Sequence, residues 1–240
     1  MASKSGRAGV STRALAEHRR LIRAGFGIVA LVMSWVFFKL LPHAQAGGIG
    51  ALGVLFFVFK AVMNPLESQI DTKIAEEKQA IRGAVAEEKM EMILDQLGDE
   101  HLVLHDIRCE FGNIDHIVLS KRHGVFLIET KAHGGKVAVV DSTIRVNGKP
   151  PEKNFISQTL RNTYWLAEQL QKLTGIKPWV SSFIVFTTGF VERSPRIKGI
   201  TITNKKFLVQ NMRGVRKSMS PEIWNARIRI ADALKPKKEV

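Results

Sequence analysis

Of 240 residues only one, Cys109, is a cysteine. A lone thiol excludes an internal disulfide and fits a reducing compartment, and its place in an apolar, strand-like run makes it a packing residue. Histidines are few. His116, His123 and His133 crowd one region, yet none has metal-ligand spacing with another, so they read as surface-facing or packing residues. Acidic residues are in deficit, with 22 Asp and Glu against 36 Lys and Arg, a net charge of +14. That imbalance points to a polyanionic partner, nucleic acid or anionic lipid. Part of it is accounted for by basic residues beside the apolar N-terminal runs and by the tail "KPKKEV". The 45% hydrophobic fraction supports a real core, although much of it is concentrated near the N-terminus.

What is present first is membrane-like. Residues 24–41, "AGFGIVALVMSWVFFKLL", are apolar except for Lys39, and residues 46–63, "AGGIGALGVLFFVFKAVM", are apolar except for Lys60. A spanning helix needs roughly 20 residues, with about 17 as the lower limit, and each lysine can reach the headgroups. The spacer "PHAQ" is short and opens with proline, so the two runs read as a helical hairpin. Ala46 and Gly50, and Gly47 and Ala51, place small residues four apart for close helix approach. "GIGALG" at 48–53 matches the dinucleotide fingerprint GxGxxG, but it lies inside an apolar run with no preceding strand and is set aside. "AQA" at 44–46 resembles a signal-peptidase site, but a second apolar run follows at once. Lys4, Arg7, Arg13, Arg19, Arg20 and Arg23 precede the first span, so the positive-inside rule keeps the N-terminus cytoplasmic. Two spans return the chain to the same side. The expectation is a multi-pass protein of the inner (cell) membrane with its C-terminal domain cytoplasmic.

Beyond the spans, residues 64–82 form a charged helical linker, with no proline between Pro65 and residue 97. Leu66, Ile70, Ile74, Ile81 and Val85 make a helical stripe that could pair two copies as a homodimer through 66–85. A stalk with a solvated charged face is the plainer alternative. In "GAVAEEKMEMILDQL", Glu87 shares a helix face with Met90, Leu94 and Leu97, which aims this carboxylate inward. A core-facing acid needs a partner or a metal.

Strands follow at 102–109, 113–119 and 125–131, with a further pair at 137–140 and 143–146. The last runs flank "DS", and "SKRHG" is a turn between the second and third. If that hairpin is symmetric about Arg122, Asp115 lies opposite Glu129 and the two point to one face, which Lys131 shares by alternation. Phe126 and Ile128 would pack behind. Two opposed carboxylates repel unless a cation sits between them, and Mg²⁺ accepts such a pair with open water positions. The plain alternative is a surface ion pair between Glu129 and Lys131. Gly134 and Gly135 are expected to bend the chain away from this point.

These residues resemble a known family. "GNIDHIVLSKRHGVFLIETKAHGGKV", residues 112–137, resembles the core of the NERD (nuclease-related) domain of the PD-(D/E)xK restriction-endonuclease-like superfamily. "GAVAE" at 83–87 resembles its G-x-x-G-E helix start, with Ala86 in place of the second glycine. "NFISQ" at 154–158 resembles its N-P-x-x-Q, with Phe155 in place of proline. The resemblance implies an α/β fold, a restriction-endonuclease-like mixed central sheet flanked by helices over residues 83–240. It implies metal binding by Asp115 and Glu129, aided by Glu87 and the Thr130 carbonyl, with Mg²⁺ or Mn²⁺ as cofactor. Lys131 would position or activate the attacking water and stabilise phosphate charge. Gln158 matches a glutamine that the family's helix brings near the site. Arg161, one turn on, would meet a phosphate, and His133 and Lys136 are further candidates for nucleic-acid contact.

The remaining segments suit such a domain. Residues 154–173 read as an amphipathic helix, 180–188 as a buried strand and 200–209 as containing more strand. "SPEIWNARIRIADAL" reads as a helix capped by Ser220 with Pro221 in its first turn. Trp165, Trp179 and Trp224 read as core. The leading expectation is a membrane-anchored, cytoplasmic, metal-dependent nuclease acting on DNA. A non-catalytic, membrane-tethered nucleic-acid-binding or scaffold protein is the alternative, and a hairpin-anchored assembly factor a third.

Overall fold

The computed structural model describes residues 2–234, so the basic tail "KPKKEV" lies outside the described residues. Two units divide the chain: one is Ser11–Arg82, and the other joins the residues up to Val10 to those from Gly83 onward. The N-terminal segment is thus not merely a basic leader to the first span. Its first residues belong with the C-terminal domain.

Two long helices supply the first unit, α1 (Val10–Ala46) and α2 (Gly48–Leu94). Both are long and apolar enough to cross a membrane, and their apolar stretches are not buried within the protein. They run antiparallel: the Phe37 and Phe59 rings lie 4.3 Å apart, while Arg19 and Arg23 reach Glu76 and Glu77. Part of the linker surface is therefore engaged within the same chain. The spacer "PHAQ" is helical. Pro42 sits inside α1, and the reversal is made at Gly47 and Gly48, where Gly48 takes φ +82°. Glycine adopts that left-handed backbone without the Cβ clash other residues meet, so the turn forms there. "GIGALG" opens α2 with no strand before it.

The second unit is a mixed sheet of eight strands with helices on both faces. Its elements are β1 (Ser3–Ser5), β2 (His101–Cys109), β3 (Gly112–Ser120), β4 (Gly124–Val140), β5 (Thr143–Val146) and α3 (Phe155–Thr174). There follow β6 (Val180–Val191), β7 (Arg196–Ile197), β8 (Ile200–Asn204), α4 (Leu208–Arg213), α5 (Pro221–Asn225) and α6 (Arg227–Leu234). The order is β1-β2-β3-β4-β6-β8-β7, with β5 paired to β4. β4 and β6 run parallel, as do β6 and β8. Strands buried on both faces need unbroken apolar runs, and "VFLI" in β4 and "FIVF" in β6 supply them.

Alternation divides the core. Val125 and Leu127 face Leu166 and Leu170 of α3 together with α5 and α6, whereas Phe126 and Ile128 face Met90 and Leu94 of α2 together with α4. α3 begins where the Asn154 side chain accepts the Ser157 N–H, and ends at Gly175 with φ +77°.

Several expectations are corrected. Gly134 and Gly135 do not turn the chain away; β4 continues through them beside Thr188 and Gly189 of β6. The irregularity is instead a bulge between Lys131 and Gly134. The further strand expected within 200–209 is β8, which stops at Asn204, whose side chain accepts the Lys206 N–H and starts a 3-10 turn at Lys205–Phe207. The C-terminal helix is two short ones, α5 and α6, broken at Ala226. Trp179 is 64% exposed and Lys217 stacks on it, so it is not a core residue. Trp165 and Trp224 do pack against the core, and Cys109 ends β2 with its thiol toward Asn162.

Candidate active site

The site arises from a gap in strand pairing. Along one edge β4 is covered by β6. On the other edge β3 covers Gly124 to Ile128 and β5 covers Val137 to Val140, leaving the intervening residues from Glu129 without a strand partner. The β3–β4 hairpin has the register symmetric about Arg122: Ser120 lies opposite Gly124 and His116 opposite Ile128. Pairing stops there, one step before Asp115 and Glu129. The strands part where the acids begin. In the gap the Thr130 N–H, which has no carbonyl opposite, donates to Asp115 Oδ2 at 2.6 Å. An unpaired strand donor thereby fixes a carboxylate.

Glu129 and Lys131 follow on the α3 side. Lys131 Nζ donates to Glu129 Oε1 at 2.6 Å and to Gln158 Oε1 at 3.5 Å, and lies 4.6 Å from the centre of the Phe155 ring. Glu129 is 2% exposed, and its other oxygen, Oε2, is buried with no hydrogen-bond partner among the described residues. Glu87 is buried on α2, as its helical spacing requires. Its charge acts on both Asp115 and Lys131.

Electrostatics separates the roles. Burial, then Glu129, then Glu87 push the Asp115 carboxyl well above the usual carboxylate range. Burial alone would lower the Lys131 pKa, but the Glu129 and Asp115 carboxylates outweigh it, and the ammonium holds its proton more tightly than usual. The surrounding carboxylates thus favour the charged form of Lys131. Three carboxylates share this one ammonium, and an orphaned Glu129 oxygen faces the group. That chemistry is compatible with a small divalent cation, which Asp115, Glu129 and Glu87, the acids expected from the sequence, could hold.

The other candidates are spread more widely. Arg161 is exposed on α3 with its guanidinium 5.7 Å from the Phe111 ring, at the tip of the β2–β3 hairpin. Lys136 is exposed beyond the bulge. His133 is wedged between Phe155 and Phe186, and burial followed by Lys131 lowers its pKa, so it packs as a neutral ring. His116 points away from Glu129, its ring donating to or accepting from Thr130 Oγ1 at 3.2 Å and His105 Nδ1 at 2.8 Å. Burial and then His105 drive its pKa well below the usual value.

Sequence reasoning passed over Phe155 and Phe111 as cation partners. Phe155 stands in the first turn of α3, directly after the Asn154 cap, and that position gave the available signal. Phe111 gave none.

Comparison with curated proteins and with solved structures returned no match. Residues 82–187, which hold Glu87, Asp115, Glu129, Lys131, Gln158 and Arg161, match the model of the nuclease-related domain, and this part of the chain is a NERD domain.

Proposed function

We propose that the protein is a membrane-anchored, divalent-metal-dependent nuclease that hydrolyses phosphodiester bonds of DNA. The observation that carries this reading is the gathering of Asp115, Glu129, Lys131 and Gln158 at the gap in β4, with Glu129 Oε2 left unpartnered. Mg²⁺ or Mn²⁺ held by Asp115, Glu129, Glu87 and Thr130 would supply a water of lowered pKa and a counter-charge for the phosphate.

The chain's own residues do the rest. Lys131, protonated and steadied by Gln158 and the Phe155 face, offers its charge to the negative oxygens of the phosphate as they develop. Thr130 keeps Asp115 in place through its N–H. Arg161 over Phe111 presents a cation and a ring face to the polyanion, and Lys136 adds charge farther along β4. The excess of 36 basic over 22 acidic residues favours a nucleic-acid substrate. The two apolar helices fit an inner-membrane hairpin whose basic flank keeps both the N-terminus and the nuclease domain cytoplasmic.

The test is to incubate the full chain in detergent with single-stranded DNA, double-stranded DNA and RNA. Cleavage that needs Mg²⁺ or Mn²⁺, stops with a chelator and prefers DNA supports the reading. Equal cleavage with and without chelator removes the metal from it, and cleavage of RNA alone removes DNA.

A further inference from the structure

On the opposite face of the sheet from Glu129 lies a second cluster that the nuclease reading does not use. Glu91, in the last turn of α2, and Asp95, four residues on, meet His105 of β2. One ligand atom from each lies within 4.8 Å of the others. His105 is fully buried, and its Nε2 has no hydrogen-bond partner among the described residues; Asp95 Oδ1, 4.0 Å away, is also buried and unpartnered. Leaving two such atoms unmatched in the interior is costly.

Lys4 of β1 neutralises only the outer half of the cluster. Its ammonium reaches Asp95 Oδ2 at 2.7 Å and Glu91 Oε1 at 3.4 Å, while the Ala8 N–H donates to Glu91 Oε2 at 3.1 Å. The inner half, Asp95 Oδ1 facing His105 Nε2 at 4.0 Å, has no hydrogen-bond partner among the described residues. Metal–ligand bonds of about 2.0–2.2 Å span at most about 4.4 Å across an ion. Asp95, a third exposed and just beyond the end of α2, can close to a bent geometry.

We propose that Glu91, Asp95 and His105 form a second cation site, for a divalent transition ion of the zinc type. One imidazole and two carboxylates suit such an ion better than Mg²⁺, which prefers oxygen ligands throughout. The imidazole chain then becomes consistent. A ligating His105 Nε2 must carry its proton on Nδ1, which donates to His116 Nδ1 at 2.8 Å; His116 in turn donates from Nε2 to Thr130 Oγ1 at 3.2 Å. Every imidazole nitrogen is engaged, and the donor behind the ligating ring is the outer support that metal-bound histidines use. In the opposite tautomer the His105 Nε2–H is left 4.0 Å from Asp95, beyond hydrogen-bond reach. The site stands independently of the nuclease reading, although its chain ends on the residue that holds Asp115.

The experiment uses the full chain in detergent, stripped by chelator and titrated with Zn²⁺ by calorimetry and with Co²⁺ by visible absorption. Glu129→Gln removes one oxygen donor from the other acid cluster, and this variant is expected to keep one Zn²⁺. Adding Asp95→Asn should weaken that binding by about 10- to 100-fold. Lys4→Met should tighten it, because the competing ammonium is gone. His105 is buried and its replacement endangers the fold, so the test is made at Asp95 and Lys4. Zn²⁺ affinity indifferent to Asp95→Asn overturns the proposal. So does a Lys4→Met protein that melts lower and binds Zn²⁺ no better, for Lys4 is then the cluster's own cation.

Discussion

Asp115 sits at the balance between stability and use. Its carboxyl is pushed up by burial and by Glu129 and Glu87. An acid with a raised folded pKa binds more protons folded than unfolded, so stability declines as pH climbs above its ordinary value of 3.8 through the raised one. At neutral pH without metal, Asp115→Asn is therefore expected to raise the Tm by about 2–4 °C, roughly 1 kcal/mol, while the Thr130 N–H keeps an oxygen acceptor. A lower Tm in differential scanning would contradict that. Glu87 and the Glu129–Lys131 pair were legible because side-chain direction follows from helical and strand period. Phe155 beneath Lys131, and Phe111 beneath Arg161, were not, because ring contacts across 24 and 50 residues leave no local pattern.

Elements account for most of what the sequence could and could not say. A short turn between two apolar runs leaves one register that buries both, which is why symmetry about Arg122 gave the pairing from Ser120–Gly124 to His116–Ile128, although that pairing ends one step short of Asp115 and Glu129. Ser3–Ser5 has no apolar alternation and pairs with Leu102, Val103 and Leu104 nearly a hundred residues away, so β1 was invisible. The contacts of Lys4 with Asp95 and Glu91 depend on that strand and were missed with it. Gly134 and Gly135 misled because glycine marks close approach as well as bends. Gly135 has φ +92°, and an added Cβ would stand 2.1 Å from Asn147 Oδ1, the acceptor of the Lys136 N–H. Gly135→Ala should lower stability by about 1–3 kcal/mol. Gly134→Ala, whose Cβ meets nothing nearer than 3.8 Å, should be nearly neutral. Thermal melts of the two side by side check the contrast; equal losses would count against it.

At the scale of the molecule, residues before the apolar helices belong to the sheet that follows them. A fragment starting at Gly83 would lack β1 and leave the β2 edge bare at Leu102 to Leu104, which invites edge-to-edge association. It should aggregate more and melt lower than the full chain in detergent, as light scattering and calorimetry can read. The apolar stretches of α1 and α2, uncovered within the protein, should keep the full chain in the membrane fraction through alkaline washing. Release into the wash would remove the anchor. Reporter tags at the two termini should both be cytoplasmic, and a split result would overturn the hairpin topology.

The central claim is that the gap in β4 holds a hydrolytic site, and the direct measurement is the rate of DNA cleavage by the full chain with Mg²⁺, wild type against Glu129→Gln. Loss of the carboxylate that bonds Lys131 and carries the orphaned oxygen should lower the rate by about 100-fold or more with the Tm unchanged or raised. Equal rates in the two proteins, or no cleavage by the wild type with either Mg²⁺ or Mn²⁺, would contradict it.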